Sequence, residues 1–407
     1  MIAKTIQNVL TKISVALFLI LCNCSNDENG SGFQPSIDAA NLPAANRPMT
    51  MFADDENISK MYDKTDRWFR VNEPLQVILK GKDSIQLSLY SPLPLTDVKI
   101  YAQIPNQEKK IVLFHFTNIP AFHRSFHKIP LATGSNNYLS ETGETITIEQ
   151  MSDFSEETIQ LTTASSDPLF AKFKKIKSSQ LVQFDDSYHV DEPGKFLPMN
   201  PALAKEVITL MLNFSYALSH PIYYETFMHF DTYLQEQAAI QESTVTGATN
   251  WHGNNADVDG NYDYYTQTQI EQQYNKYIDS RKIYPAMVGG SSALGGGALV
   301  SVWESSYVTA HWLGDVSAWS HEYSHHTGYN HDSNLANSGQ GGGQQKMMSN
   351  FYAYLMYLKD LPFTNPEILK TWTKSTYLNK KDYSKPVFSI DAKNPFLVKY
   401  KGAGAWQ

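Results

Sequence analysis

The chain is short of cysteine. Its 407 residues include 2, Cys22 and Cys24, and both lie close to the N-terminus. A core stapled by disulfides is thereby excluded, and packing has to hold the fold. Charged side chains are scarce as well, at 18%, with a formal net charge of -8. There is no basic stripe, which excludes a nucleic-acid partner on electrostatic grounds. Long apolar runs are missing: the stretch Ile13–Leu21 is too short for a comfortable bilayer span. No internal repeat occurs, so a solenoid is excluded too. What is plentiful is aromatic and apolar surface. Aromatic residues make up 13%, with 24 Tyr and 7 Trp, and 42% of all residues are hydrophobic. A Tyr-rich chain of this length reads as globular and extracellular, with core enough for two domains.

The N-terminus carries Lys4 and Lys12, then the apolar run, then Cys22-Asn23-Cys24-Ser25-Asn26-Asp27-Glu28. A basic segment followed by a short apolar one is the pattern of a secretory signal. A cysteine directly behind it resembles a bacterial lipoprotein signal. That resemblance implies a signal peptide over 1–24 and lipidation at Cys24, with Leu21 three residues upstream. Asn23 departs from the usual small residue; taking Cys22 instead would put Leu21 there. The expectation is a lipid-anchored protein of the bacterial cell envelope, at the outer membrane and facing outward. Residues 25–58, rich in Asn, Asp, Ser, Gly and Pro, read as a flexible tether.

From 59 to 190 the pattern is of strands. Runs at 75–79, 85–90, 98–102, 111–116, 145–148 and 158–163 are short, and several alternate apolar and polar residues. Gly81-Lys82-Asp83, Ser91-Pro92-Leu93-Pro94 and Pro105-Asn106-Gln107 punctuate them as turns. The expectation is a β-sandwich-like N-terminal domain, a positioning module or a binding one. His123 and His127 lie four apart between Pro120 and Pro130, which argues for solvated loop histidines over a helical metal pair. Helical spacing takes over after Asp191-Glu192-Pro193-Gly194. Apolar residues recur three and four apart from Pro201 to Leu218, a second helix is expected over 221–241 and a third over 267–280. Asn255, Asp257, Asp259 and Asp263 around Gly260 resemble the start of a calcium loop, though its twelfth position is Thr266 where Glu belongs. An Asx-rich surface loop is the other reading of these residues.

The most informative stretch is His321-Glu322-Tyr323-Ser324-His325-His326-Thr327-Gly328-Tyr329-Asn330-His331. Helix positions i and i+4 share a face, so His321 and His325 can offer nitrogens to one metal. Glu322 stands beside them as a general base for a bound water. Gly328 can take a left-handed conformation, end the helix and return His331 as a third ligand. Three protein ligands and an open position make a catalytic zinc site; structural sites are usually closed by four. Asp315 is the expected N-cap of a helix over 316–327, and Trp319 and Tyr323 its core-facing side. His326 is expected on solvent or behind a ligand.

The spacing H-E-x-x-H-x-x-G-x-x-H resembles the metzincin metallopeptidases, over these eleven residues and a downstream methionine. The resemblance implies an α+β chain: the β-sandwich-like domain, then a zincin-type catalytic domain over 191–407 with a long active-site helix. It implies Zn2+ as cofactor and a methionine turn under the metal, a place that Met347 or Met348 would fill. The tyrosine that some members carry two residues later is here Ser349 or Asn350. The His331-Asp332 pair is similar to the adamalysin-like branch, with Asp332 behind the ligand or capping the next turn. The segment Ala298–Trp303 is the candidate strand for pairing with extended substrate. The function so implied is a secreted zinc metalloendopeptidase acting on extracellular proteins or peptides. The alternatives are a surface-binding lipoprotein that keeps only the metal site, and a zincin of glutamate-ligand type acting on glycoproteins. For the latter, Glu367 is the only glutamate after Glu322.

Overall fold

The computed structural model describes residues 37–38, 49–53, 55–129, 134–151, 155–229, 248–256, 262–279, 281–312, 314–336, 343–364 and 390–400. Cys24, the signal segment and most of the expected tether lie outside them. The chain is of mixed α+β composition.

Two four-stranded sheets form the first part. One is ordered β1 (Ile37–Asp38), β7 (Ile111–Ile119), β6 (Leu95–Gln103), β11 (Gln160–Ser165). The other is β2 (Met49–Thr50), β8 (His123–Lys128), β5 (Ser84–Leu89), β4 (Leu75–Lys80). Their apolar faces meet: Phe114 and Phe116 of β7 pack on the His127 ring of β8 at 5.8 and 4.9 Å. A small hairpin, β9 (Asn136–Leu139) with β10 (Thr145–Ile148), flanks them. Part of the expected tether belongs to this fold. Strands β1 and β2 pair with the sheets, and Met51 and Phe52 are 0% and 1% exposed.

The histidines expected in a solvated loop are in β8 instead, and buried. Residues two apart on a strand face the same way. His123, Ser125 and His127 therefore line up inside, and the Ser125 hydroxyl bridges both rings at 2.8 and 2.7 Å. Burial lowers each imidazole to about 4, and His123 is lowered further by its neighbour His127. An unfolded imidazole protonates near 6.5. As pH falls, the unfolded chain takes up these protons first. The stability the rings contribute is therefore complete above pH ~6.5 and lost between there and ~4. His127→Gln keeps an amide for Ser125 and removes one titration. Its unfolding free energy, from urea midpoints between pH 7 and 4.5, should fall less steeply than the parent's, by up to about 1.4 kcal/mol per pH unit. Equal slopes would count against a neutral buried ring.

The second part is built on a mixed sheet ordered β17 (Leu294–Gly296), β18 (Leu299–Val302), β16 (Lys282–Val288), β12 (Leu181–Gln183), β3 (Trp68–Arg70), with β13 (Phe196–Leu197) also on β16. Strands β18 and β12 run parallel to β16; β17, β13 and β3 are antiparallel to their partners. The sheet therefore spans the expected boundary at 190, because β3 and β12 come from before it and the other strands from after it. A separate hairpin joins β14 (Ala248–Ala256) to β15 (Tyr262–Thr266).

Among the described residues the helices are α1 (Ile58–Met61), α2 (Pro168–Lys175), α3 (Ser187–Asp191), α4 (Pro201–Ser219), α5 (Pro221–Met228), α6 (Gln267–Tyr277), α7 (Glu304–Trp312), α8 (Ser317–His326), α9 (Gly343–Tyr357) and α10 (Pro395–Tyr400). The central one is α4. Pro201 opens it where a missing N–H costs nothing, and Asn200 accepts the Leu203 N–H at 2.7 Å. It is buried almost all round, as a helix with neighbours on every side must be. Thr266, the misfit in the calcium pattern, caps α6 in a reciprocal pairing with Gln269. None of the described helices is long and apolar enough to cross a membrane.

Candidate metal centre

The helix that carries the motif, α8, spans 10 residues, shorter than the long helix expected. Its N-cap is Val316, not Asp315; the Asp315 carboxylate nonetheless accepts the Ser317 N–H at 3.0 Å. The end comes where expected. Gly328, at φ +103°, donates to the His325 carbonyl, and Tyr329 N–H to the Ser324 carbonyl. This paired bonding satisfies the last carbonyls and needs a left-handed residue at 328, which glycine supplies without strain. Trp319 and Tyr323 face the core and pack edge-on against Phe214 of α4, at 6.4 and 4.9 Å. Ser320 and Ser324, also buried, donate to Gln344 Oε1 at 2.8 and 3.2 Å, and Gln344 in turn donates to Tyr223. The back of the helix is thus fixed by aromatic packing and a closed polar network, leaving its other face free for chemistry.

On that free face the three expected ligands converge. The Nε2 atoms of His321, His325 and His331 lie 3.1 Å from one another in every pair. Three nitrogens bound tetrahedrally to one zinc at about 2.0–2.1 Å stand roughly 3.3–3.4 Å apart. The triad fits that ion closely. Among the described residues it is the one cluster of its kind. His325 Nδ1 donates to the Tyr329 carbonyl at 2.5 Å, which leaves the Nε2 lone pair for a metal. Burial lowers the His321 ring, helped by His325 and His331, and lowers the His325 ring against the opposing pull of the Tyr329 carbonyl, and so favours the neutral ligating form of both. Glu322 is 5% exposed and lines the same cleft. Desolvation alone raises its carboxyl to about 7. A dication on the neighbouring imidazoles would draw it back toward carboxylate.

The cleft measures about 800 Å³ and is walled by Leu294, Gly295, Trp303, Asp315 and Gln345 beside the motif. Its edge strand is β17, not the expected Ala298–Trp303. That segment forms β18, one place further in. The glycine run reads as a loop in sequence. In the fold Gly297, at φ +54°, turns it back so that Leu294–Gly296 pairs with β18. Gly295 has to be glycine here, because a Cβ would sit 2.1 Å from the Glu322 carbonyl oxygen. His326 is not on solvent but buried, with Nδ1 bonded to the Gly297 carbonyl. It ties the helix to the hairpin that edges the cleft.

Compared with known proteins, the chain matches no family model, no curated protein and no solved structure. What the centre can do follows from its donors: three imidazole nitrogens for a borderline-soft dication, and one carboxyl group on the same cleft wall.

Other expected residues fall differently. Met347 and Met348 are fully buried within α9, so they are helix residues and not a turn. Ser349 and Asn350 belong to the same helix. Asp332 is exposed, and Asn330 Oδ1, not Asp332, caps the turn after the triad. Asn255 and Asp263 are exposed on the β14–β15 hairpin, while Asp257, Asp259 and Glu367 lie outside the described residues. The helix expected over 221–241 is described only as far as Met228. Gln344 and Asn254, bonded to the motif segment, and Asn334, bonded to β14, carry no sequence signal of their own, since an isolated amide looks like a surface residue.

Proposed function

We propose that this chain is a zinc-dependent metallopeptidase of metzincin type, acting on extracellular proteins or peptides and held at the cell envelope through Cys24. One observation supports the activity above all: three imidazole Nε2 atoms meet at 3.1 Å on a cleft wall that also holds Glu322. His321, His325 and His331 would hold the ion. When bound, zinc supplies Lewis acidity, acidifying water and polarising a carbonyl.

The chain's own groups do the rest. An extended substrate would add to the free edge of β17 by main-chain hydrogen bonds, which orients its scissile peptide over α8. Glu322 takes one proton from the attacking water as the water oxygen adds to the carbonyl carbon. It then gives that proton to the amide nitrogen as the C–N bond breaks. Its buried position keeps the proton from bulk water between the two transfers. The Tyr329 carbonyl holds the His325 ring in its donor tautomer throughout.

Purified mature protein should contain close to one zinc per chain and cleave members of a proteome-derived peptide library. A chelator should abolish cleavage, and added zinc should restore it. Zinc-loaded protein that cleaves nothing in the library would overturn the peptidase reading.

A further inference from the structure

The third ligand, His331, is exposed and sits in a segment without regular secondary structure. Burial cannot place such a ring, so its backbone has to be held. The segment from Gly328 to Asn334 lies along β14, and alternate β14 residues grip it. Asn254 Nδ2 donates to the Gly328 carbonyl at 2.9 Å, and its Oδ1 accepts the Asn330 N–H at 2.9 Å. Past the ligand, Ser333 donates to the His252 carbonyl at 2.7 Å and Asn334 Oδ1 accepts the His252 N–H at 3.0 Å. Asn334 Nδ2 then reaches the Asn250 carbonyl at 2.7 Å. Residues 250, 252 and 254 each reach the segment, Asn250 and His252 through their backbone and Asn254 through its side chain. As the motif segment runs forward, its anchors run backward along β14, so the pairing is antiparallel, made through side chains in place of a ladder.

We infer that the β14–β15 hairpin is the positioning element of the metal centre, with Asn254 as the residue that sets His331. Asn254 satisfies a carbonyl and an amide on either side of Tyr329. It thereby fixes two peptide groups just before the ligand, and one of them contains the Tyr329 carbonyl that orients His325. One amide side chain thus acts on two of the three ligands while touching neither ring. The inference rests on the zinc reading above and adds a residue 74 positions from the motif glycine.

The test is zinc affinity, measured by competition with a chromophoric chelator on the full mature chain. Asn254→Ala should bind zinc about 10–100-fold more weakly, the range for partners that orient a ligand. Asn254→Asp can accept from Asn330 but not donate to Gly328, and should fall between. In a His331→Ala background, Asn254→Ala should cost less, since one of the two ligands it acts on is gone; a merely structural residue would cost the same in both. Hydrogen exchange of the metal-free protein should show the Asn330 amide deprotected in Asn254→Ala. Parent-like zinc affinity in both Asn254 variants would overturn the inference and leave the metal centre standing. A parent chain that binds no zinc would overturn the centre itself, and the inference with it.

Discussion

Glu322→Gln is expected to keep its zinc and lose peptide hydrolysis. The amide has nearly the shape of the carboxyl, and burial is what raises the Glu322 pKa, so a neutral amide suits the same place. The three imidazoles and the networks behind α8 are untouched. What disappears is a group that can accept a proton. Loss of a positioned general base typically costs 10²–10⁴ in rate, and here the same group also serves the leaving nitrogen, so the upper part of that range applies. The measurement is kcat/KM on the best peptide of the library, beside zinc content and thermal midpoint. Parent-like cleavage by the variant would show that another group moves the proton. Loss of zinc would show that Glu322 is a ligand.

His325→Ala should act on the metal first and on activity through it. Of the three donors, His325 stands on the helix and is also locked by the Tyr329 carbonyl. Removing it takes away a direct ligand, so zinc affinity should fall by more than the 10–100-fold assigned to outer partners. The metal-free fold should hardly notice. The ring is half-buried at the cleft, while the helix is fixed from behind by Trp319, Tyr323 and the Gln344 network. The urea midpoint of metal-free His325→Ala should therefore match that of the metal-free parent. By contrast, added zinc should raise the parent's midpoint and leave the variant's nearly unchanged, because binding to the native state stabilises it by mass action. Equal zinc stabilisation of both would remove His325 from the centre.

How much of this was legible in the sequence depended on distance along the chain. The ligands were, because a helix repeats every 3.6 residues and a glycine stops it; Trp319 and Tyr323 follow from the same period. So were the longer strands, which stand out as alternating or continuous apolar runs between turn residues, as in β4, β6 and β7. Strands of three residues were not. β3, β12 and β17 are too short to show a period, and β17 is mostly glycine. Nothing local says that Trp68–Arg70 pairs with Leu181–Gln183, or that both join the sheet of β16, β17 and β18. His123 and His127 were misread because prolines flank a strand as readily as a loop.

By itself, then, the sequence determined the spacing of His321, Glu322, His325 and His331 and the glycine turn before the last of them, since all lie within eleven residues whose spacing is set by backbone geometry. Only the tertiary structure decided which strand edges the cleft, what stands behind His326, and that Asn254 grips the loop of the third ligand. Those are pairings between segments far apart in the chain. Their partners are chosen by the packing of the whole core, which no short window of residues contains.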